Sequence, residues 1–133
     1  MKISKKAEYG LVAMIFLAKH PVRKSGGGIF SLREISAETK TSFVFLEKIF
    51  SKLEKAGLVR GIKGMRGGYV LGKSPKKISA NDIVSLLDGD SKEIVNCSIC
   101  SKKGNCVAKS VWAKVEVALH KTLSAITLQD LIK

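Results

Sequence analysis

The chain has 133 residues, with 24 Lys plus Arg against 11 Asp plus Glu and 45% hydrophobic residues. That length suits one ordinary domain, or a small domain with a dimerising appendage, and excludes a large multi-domain enzyme. No apolar run approaches the roughly 20 residues of a membrane span, so no bilayer insertion is expected. The charge is unevenly placed: residues 1–77 hold 17 basic and 5 acidic side chains (net +12), whereas residues 78–133 hold 7 and 6 (net +1). A cationic first half points to a polyanionic partner, because each phosphate neutralised releases condensed counterion. DNA, RNA, ribosomal and anionic-membrane partners all fit that signature. The 3 cysteines fall between Cys97 and Cys106. Their odd number and clustering oppose a secreted disulfide framework, and the N-terminus has no plausible signal-peptidase site, so a reducing cytoplasm is expected.

The first element spans about Lys5 to His20, with Leu11, Met14, Ile15 and Ala18 at the spacing of one helical face. Pro21 stops it, and a glycine-rich connection follows. Ser31 and Glu34 form a capping-box pair that opens a second helix, anchored by Ile35. A third helix opens near Ser42, buries Leu46, Ile49, Phe50 and Leu53, and ends where Gly57 supplies the left-handed residue past its C-terminus. Two short amphipathic helices, the second basic outside, are the arrangement of a helix-turn-helix. The β-prone segments around Gly61–Gly68 then read as a hairpin with a basic, glycine-rich tip, the wing of a winged helix. Those glycines let the tip approach a phosphate backbone. Ser79 caps a further short helix, a loop from about Gly89 to Asn105 follows, and a final helix from near Cys106 carries the seam Val107, Val111, Val115, Ala118, Leu119, Leu123 and Ile126. About 20 helical residues span roughly 30 Å, too long for one small winged domain to cover, so this helix is expected to dimerise. The expected architecture is therefore mainly α with a small β-hairpin wing. Residues 1–77 form the winged helix-turn-helix and residues 78–133 the cysteine loop and dimerisation helix.

Direct readout needs hydrogen-bonding side chains near the start of the recognition helix. Ser42 and Glu47 meet that need, and Glu47 can accept from a cytosine amine. Val44 and Phe45 suit a thymine methyl, although packing against the first helix accounts for the pair at least as well. Lys48 and Lys52, with Lys63 and Arg66 on the wing, are expected at phosphates or in a minor groove. A solvated cationic surface is the competing account, but the order of helix, turn, helix and basic hairpin puts cations where a duplex would meet them.

The segments MKISKKAEYGL, FLEKIFSKLEKAGLVRGIKGMRGGYVLGK and VWAKVEVALHKTLSAITLQDL resemble the IscR/NsrR (Rrf-two) family of bacterial regulators across nearly the whole chain. The glycine-patterned block from Ala56 to Leu71 is the most specific part. The resemblance implies a homodimer that binds a palindromic operator in double-stranded DNA. It places Val44, Phe45, Glu47 and Lys48 on the base-facing part of the recognition helix, and Lys63 where a wing arginine enters the minor groove. Lysine, a more strongly hydrated point charge, suits a narrow groove less well.

Cys97, Cys100 and Cys106 offer soft thiolates suited to an iron–sulfur cluster, Zn or Cu(I), and unligated redox-active thiols are a further option. The resemblance favours an iron–sulfur cluster, 2Fe-2S or 4Fe-4S, that can be missing from isolated protein. It also implies a fourth ligand from Glu8 of the partner subunit; otherwise Glu8 is a helix-start glutamate favoured by the macrodipole. Two departures from the family pattern stand out. The first two cysteines are separated by 2 residues instead of five, and Lys109 occupies a position where a histidine often stands. His120, about 21 Å along a helix from Cys106, cannot reach the same site within the chain. Trp112 reads as a residue of the core or a cover for the loop. No catalytic constellation is apparent, so no enzyme is expected. The functional expectation is a homodimeric DNA-binding regulator sensing redox state, nitric oxide or iron–sulfur status. Its alternatives are a small zinc-binding RNA- or ribosome-associated protein, or a clusterless family regulator that senses through thiols or a protein partner.

Overall fold

The computed structural model describes residues 3–24, 27–88 and 107–132. Ser4 caps the first helix, α1 (Lys5–Lys19), by accepting from the Ala7 N–H at 3.1 Å. Ala7, Gly10, Ala13, Met14, Leu17 and Ala18 are its buried residues, whereas Leu11 and Ile15 are only half-buried at the rim of the core. The apolar stripe is thus rotated from the expected Leu11/Ile15 side. The reason is tertiary: Leu87 lies directly against Gly10, so the small residues of α1 form the close-packed face.

The expected capping box opens α2 (Leu32–Thr39), with Glu34 N–H donating to Ser31 Oγ at 3.2 Å and Ser31 N–H to Glu34 Oε1 at 3.3 Å. Ile35 is fully buried. Lys40, at φ 55°, turns the chain into α3 (Phe43–Lys55). Leu46, Ile49, Phe50 and Leu53 all have 0% exposure, as the helical spacing predicts. Gly57 has φ 78°, the left-handed conformation that a glycine adopts without a Cβ penalty.

Strands β1 (Val59–Ile62) and β2 (Gly68–Leu71) pair antiparallel, with Val59 opposite Leu71 and Ile62 opposite Gly68. Phe30 adds an antiparallel bridge to Tyr69, its N–H donating to the Tyr69 carbonyl at 3.3 Å and its carbonyl accepting from Tyr69 N–H at 2.8 Å. A Cβ on Gly68 would overlap that Phe30 carbonyl. Gly68, which lies in β2, therefore serves the hairpin's own packing against Phe30.

After a single 3-10 turn (Pro75–Lys77), Ser79 caps α4 (Ala80–Leu87) in a second capping box, with Asp82 as partner. Ile78, Ile83, Val84 and Leu87 join α1 and α3 in one core. Helix α5 (Ala108–Ala125) has no buried residue; Val107, Val111, Trp112 and Val117 are exposed, whereas Val115 and Leu119 are half-buried and Leu123 packs on the core. Trp112, at 41% exposure, is not buried in the core, and the loop it was alternatively expected to cover lies outside the described residues. The helix also stops at Ala125. The chain reverses, and a Thr127–Asp130 capping box opens α6 (Leu128–Leu131). Ala80 N–H donates to the Ile126 carbonyl at 2.7 Å and Leu128 N–H to the Ile78 carbonyl at 2.9 Å, placing Leu128 at 0% exposure in the core.

Candidate nucleic-acid interface

Four fully buried residues fix the roll of α3, and the same periodicity turns Val44, Glu47, Lys48 and Lys52 outward as exposed residues. Ser42 is exposed too, but its hydroxyl already accepts from the Phe45 N–H at 3.5 Å as the cap of α3. Phe45 is half-buried and meets Tyr9 of α1 edge-on at 5.4 Å between ring centroids. Of the two apolar residues singled out for a thymine contact, Val44 (61% exposed) faces solvent and Phe45 packs on α1. Arg33, which periodicity did not single out, stacks its guanidinium 5.2 Å over the Phe43 ring at the first turn of α3. A cation–π pair between separate helices leaves no spacing signal in the sequence.

The wing is braced against α3. Gly61 N–H of β1 donates to Glu54 Oε2 at 3.1 Å, and the Tyr69 ring of β2 packs edge-on against Phe50 at 4.9 Å. Burial first, then the carboxylates of Glu54 and Glu47, hold the Tyr69 phenol above its ordinary range. Lys63 and Arg66 are exposed at the hairpin tip. Among the described residues Lys48, Lys52, Lys63 and Arg66 make no ion pair, leaving their charges available to a polyanion.

Glu8 sits in the first turn of α1, half exposed, with Oε2 3.1 Å from Lys5 Nζ. Its hydrogen bond, then its charge, raises the Lys5 pKa. Ser4, at the start of the same helix, donates its N–H to Asp88 Oδ1 at 3.0 Å. The helix end carrying Glu8 is thus tied to the end of α4, immediately before the cysteine-bearing segment. Cys97, Cys100 and Cys106 lie outside the described residues. Among the described residues no helix is long and apolar enough to cross a membrane.

A mostly helical body with a helix-turn-helix and a braced two-stranded wing defines the class: a winged-helix regulator with a C-terminal helix. Residues 3–133 match the family described as Rrf2, iron-dependent transcriptional regulator, and the chain belongs to that family. It is 39% identical over 133 residues to the HTH-type transcriptional regulator CymR of Bacillus subtilis, covering 98% of this chain and 89% of the relative. It is 32% identical over 135 residues to the HTH-type transcriptional regulator IscR of Pectobacterium carotovorum, covering 99% and 79%. The solved structure described as CymR (YrzC), the global cysteine regulator of B. subtilis, superimposes with a TM-score of 0.80 at 36% identity, over 99% of this chain and 96% of that one. These relatives are transcriptional regulators and not enzymes.

Proposed function

We propose that the protein is a homodimeric, cytoplasmic DNA-binding regulator in which α3 and the wing of each subunit read one half of a palindromic operator. The observation that carries this reading is the outward face of α3 beside a braced wing, both bearing exposed cations with no ion pair among the described residues. Val44 and Glu47 face base edges, Lys48 and Lys52 face phosphates, and Lys63 and Arg66 approach the adjacent minor groove. Ser42 holds the start of α3 in place, and Phe45 fixes its angle against α1. The second copy docks along α5, where Val111, Trp112 and Val117, with Val107 just before the helix, are exposed large hydrophobics. Residues 1–77 supply the reader and residues 78–133 the sensor and dimer contacts, although one core joins them.

The donor chemistry fits an iron–sulfur cluster: the three thiolates of Cys97, Cys100 and Cys106 would hold it, with the partner's Glu8 as the fourth ligand. When bound, the group would supply one-electron redox chemistry and iron that can take up nitric oxide, distinct from the two-electron chemistry of free thiols. The chain's own residues link the cysteine-bearing segment to the reader. Asp88, next to the cysteine segment, holds Ser4 of α1, and α1 packs on α3.

Anaerobic isolation with iron, sulfide and zinc analysis, followed by binding to duplexes enriched from a random library, tests this reading. Brown protein holding iron and sulfide, with Cys106→Ala losing both, supports it. Stoichiometric zinc without colour and no preference for any duplex favours the RNA- or ribosome-associated alternative. Colourless, metal-free protein whose DNA binding responds to a thiol oxidant favours thiol sensing, a reading in keeping with the description of the B. subtilis relative as a global cysteine regulator.

A further inference from the structure

The wing tip carries an apolar side chain to which the reading above gives no role. Gly67 N–H donates to the Gly64 carbonyl at 3.0 Å, closing a β-turn with Met65 and Arg66 at its two corners. Met65 is fully exposed, at 105% of its reference area, the highest value among the exposed large hydrophobics of the described residues. Exposed Lys63 and Arg66 flank it. The turn stands on a hairpin braced by Phe30, Phe50 and Glu54, so the backbone sets where the side chain is presented.

We propose that Met65 is a specificity-determining residue of the wing, reading the minor groove beside each half-site and rejecting G·C pairs there. The inference rests on the DNA-binding reading and adds to it. Lys63 and Arg66 draw the tip to the phosphates that wall the groove, but phosphate contacts carry no sequence information directly. On the groove floor, A·T and T·A pairs show only the adenine N3 and thymine O2 acceptors, whereas G·C adds the protruding guanine N2 amine. The methyl and methylene groups of Met65 pack along sugar walls and meet N3 and O2 through weak C–H contacts. A guanine amine would hold the side chain off the floor. It would also lose its water to a thioether, a weak acceptor that cannot replace the lost hydrogen bond. Apolar wedges of this kind, methionine included, are used by other minor-groove proteins.

The experiment starts from a duplex enriched from a random library by the whole protein. Each A·T pair flanking the half-sites is replaced by G·C or by inosine·cytosine, which lacks only the minor-groove amine of G·C, and binding is followed by fluorescence anisotropy. At one or two flanking steps G·C weakens binding by about fivefold to tenfold and inosine·cytosine restores it. Met65→Ala brings all three duplexes within about twofold, on the argument that the unpaired amine is the source of the penalty. Met65→Gln, whose amide oxygen accepts from the amine, removes the penalty while keeping side-chain length. The proposal is overturned if inosine·cytosine binds as weakly as G·C, if no flanking step penalises G·C, or if Met65→Ala retains the full penalty. Failure to enrich any duplex refutes the DNA-binding reading itself, and is distinct from enrichment without a penalty.

Discussion

Replacing Gly68 by Ala tests whether the wing is braced through its close approach to Phe30. The new Cβ would overlap the Phe30 carbonyl and stand 2.7 Å from Ser31 N, so the strand must move. Moving it breaks the two hydrogen bonds between Phe30 and Tyr69, at 2.8 and 3.3 Å. Each contributes about 1 kcal/mol net. Residual overpacking costs about 1–3 kcal/mol more, so Gly68→Ala is expected to destabilise the protein by about 3–5 kcal/mol, on those two contributions. Gly57→Ala is the comparator. Gly57 has φ 78° with nothing within 4 Å of an added Cβ, so its cost is only that of a left-handed L-residue, about 1–2 kcal/mol. Guanidinium unfolding at one protein concentration measures both. If Gly68→Ala falls within about 0.5 kcal/mol of the parent protein, inside the range of an ordinary surface change, or costs less than Gly57→Ala, the bracing argument is wrong.

Leu128→Ala removes a fully buried side chain of the returning C-terminal segment and should cost about 2–5 kcal/mol in chemical denaturation; a loss below about 1 kcal/mol would show that α6 does not depend on this contact. Substituting Lys48, Lys52, Lys63 or Arg66 singly by Gln should lower the salt-dependence slope of DNA affinity by about one for each residue at a phosphate. An unchanged slope for all four places the duplex elsewhere. Thr127→Ala deletes the cap of α6 and should cost about 1 kcal/mol in the same denaturation assay, against no measurable change if Asp130 and the bridge to Ser79 hold the helix alone.

Much of the candidate interface was legible because its signals are local. The Ser31–Glu34 box, the inward Leu46–Ile49–Phe50–Leu53 stripe and the Gly57 stop span offsets of one to four residues, the range of helical geometry and capping. The same stripe implied which α3 residues face out. Val44 and Phe45 were both ambiguous because residues beside the buried stripe can turn either way; Val44 stands exposed, and Tyr9 on another helix takes Phe45.

By itself the sequence determined that this protein has a basic helix-turn-helix followed by a hairpin, a near-neutral C-terminal half and a cysteine cluster, because charge, periodicity and caps are properties of the chain. The tertiary structure alone decided that Phe30 braces the wing at Tyr69, that Asp88 ties down the start of α1, and that Leu128 returns to the core. It also decided that Trp112 is left uncovered on α5 and that Met65 stands free at the wing tip. Each of those outcomes depends on which distant surfaces meet once the loops have closed. The physical driver there is burial of apolar area and satisfaction of backbone hydrogen bonds, neither of which has a fixed spacing along the chain.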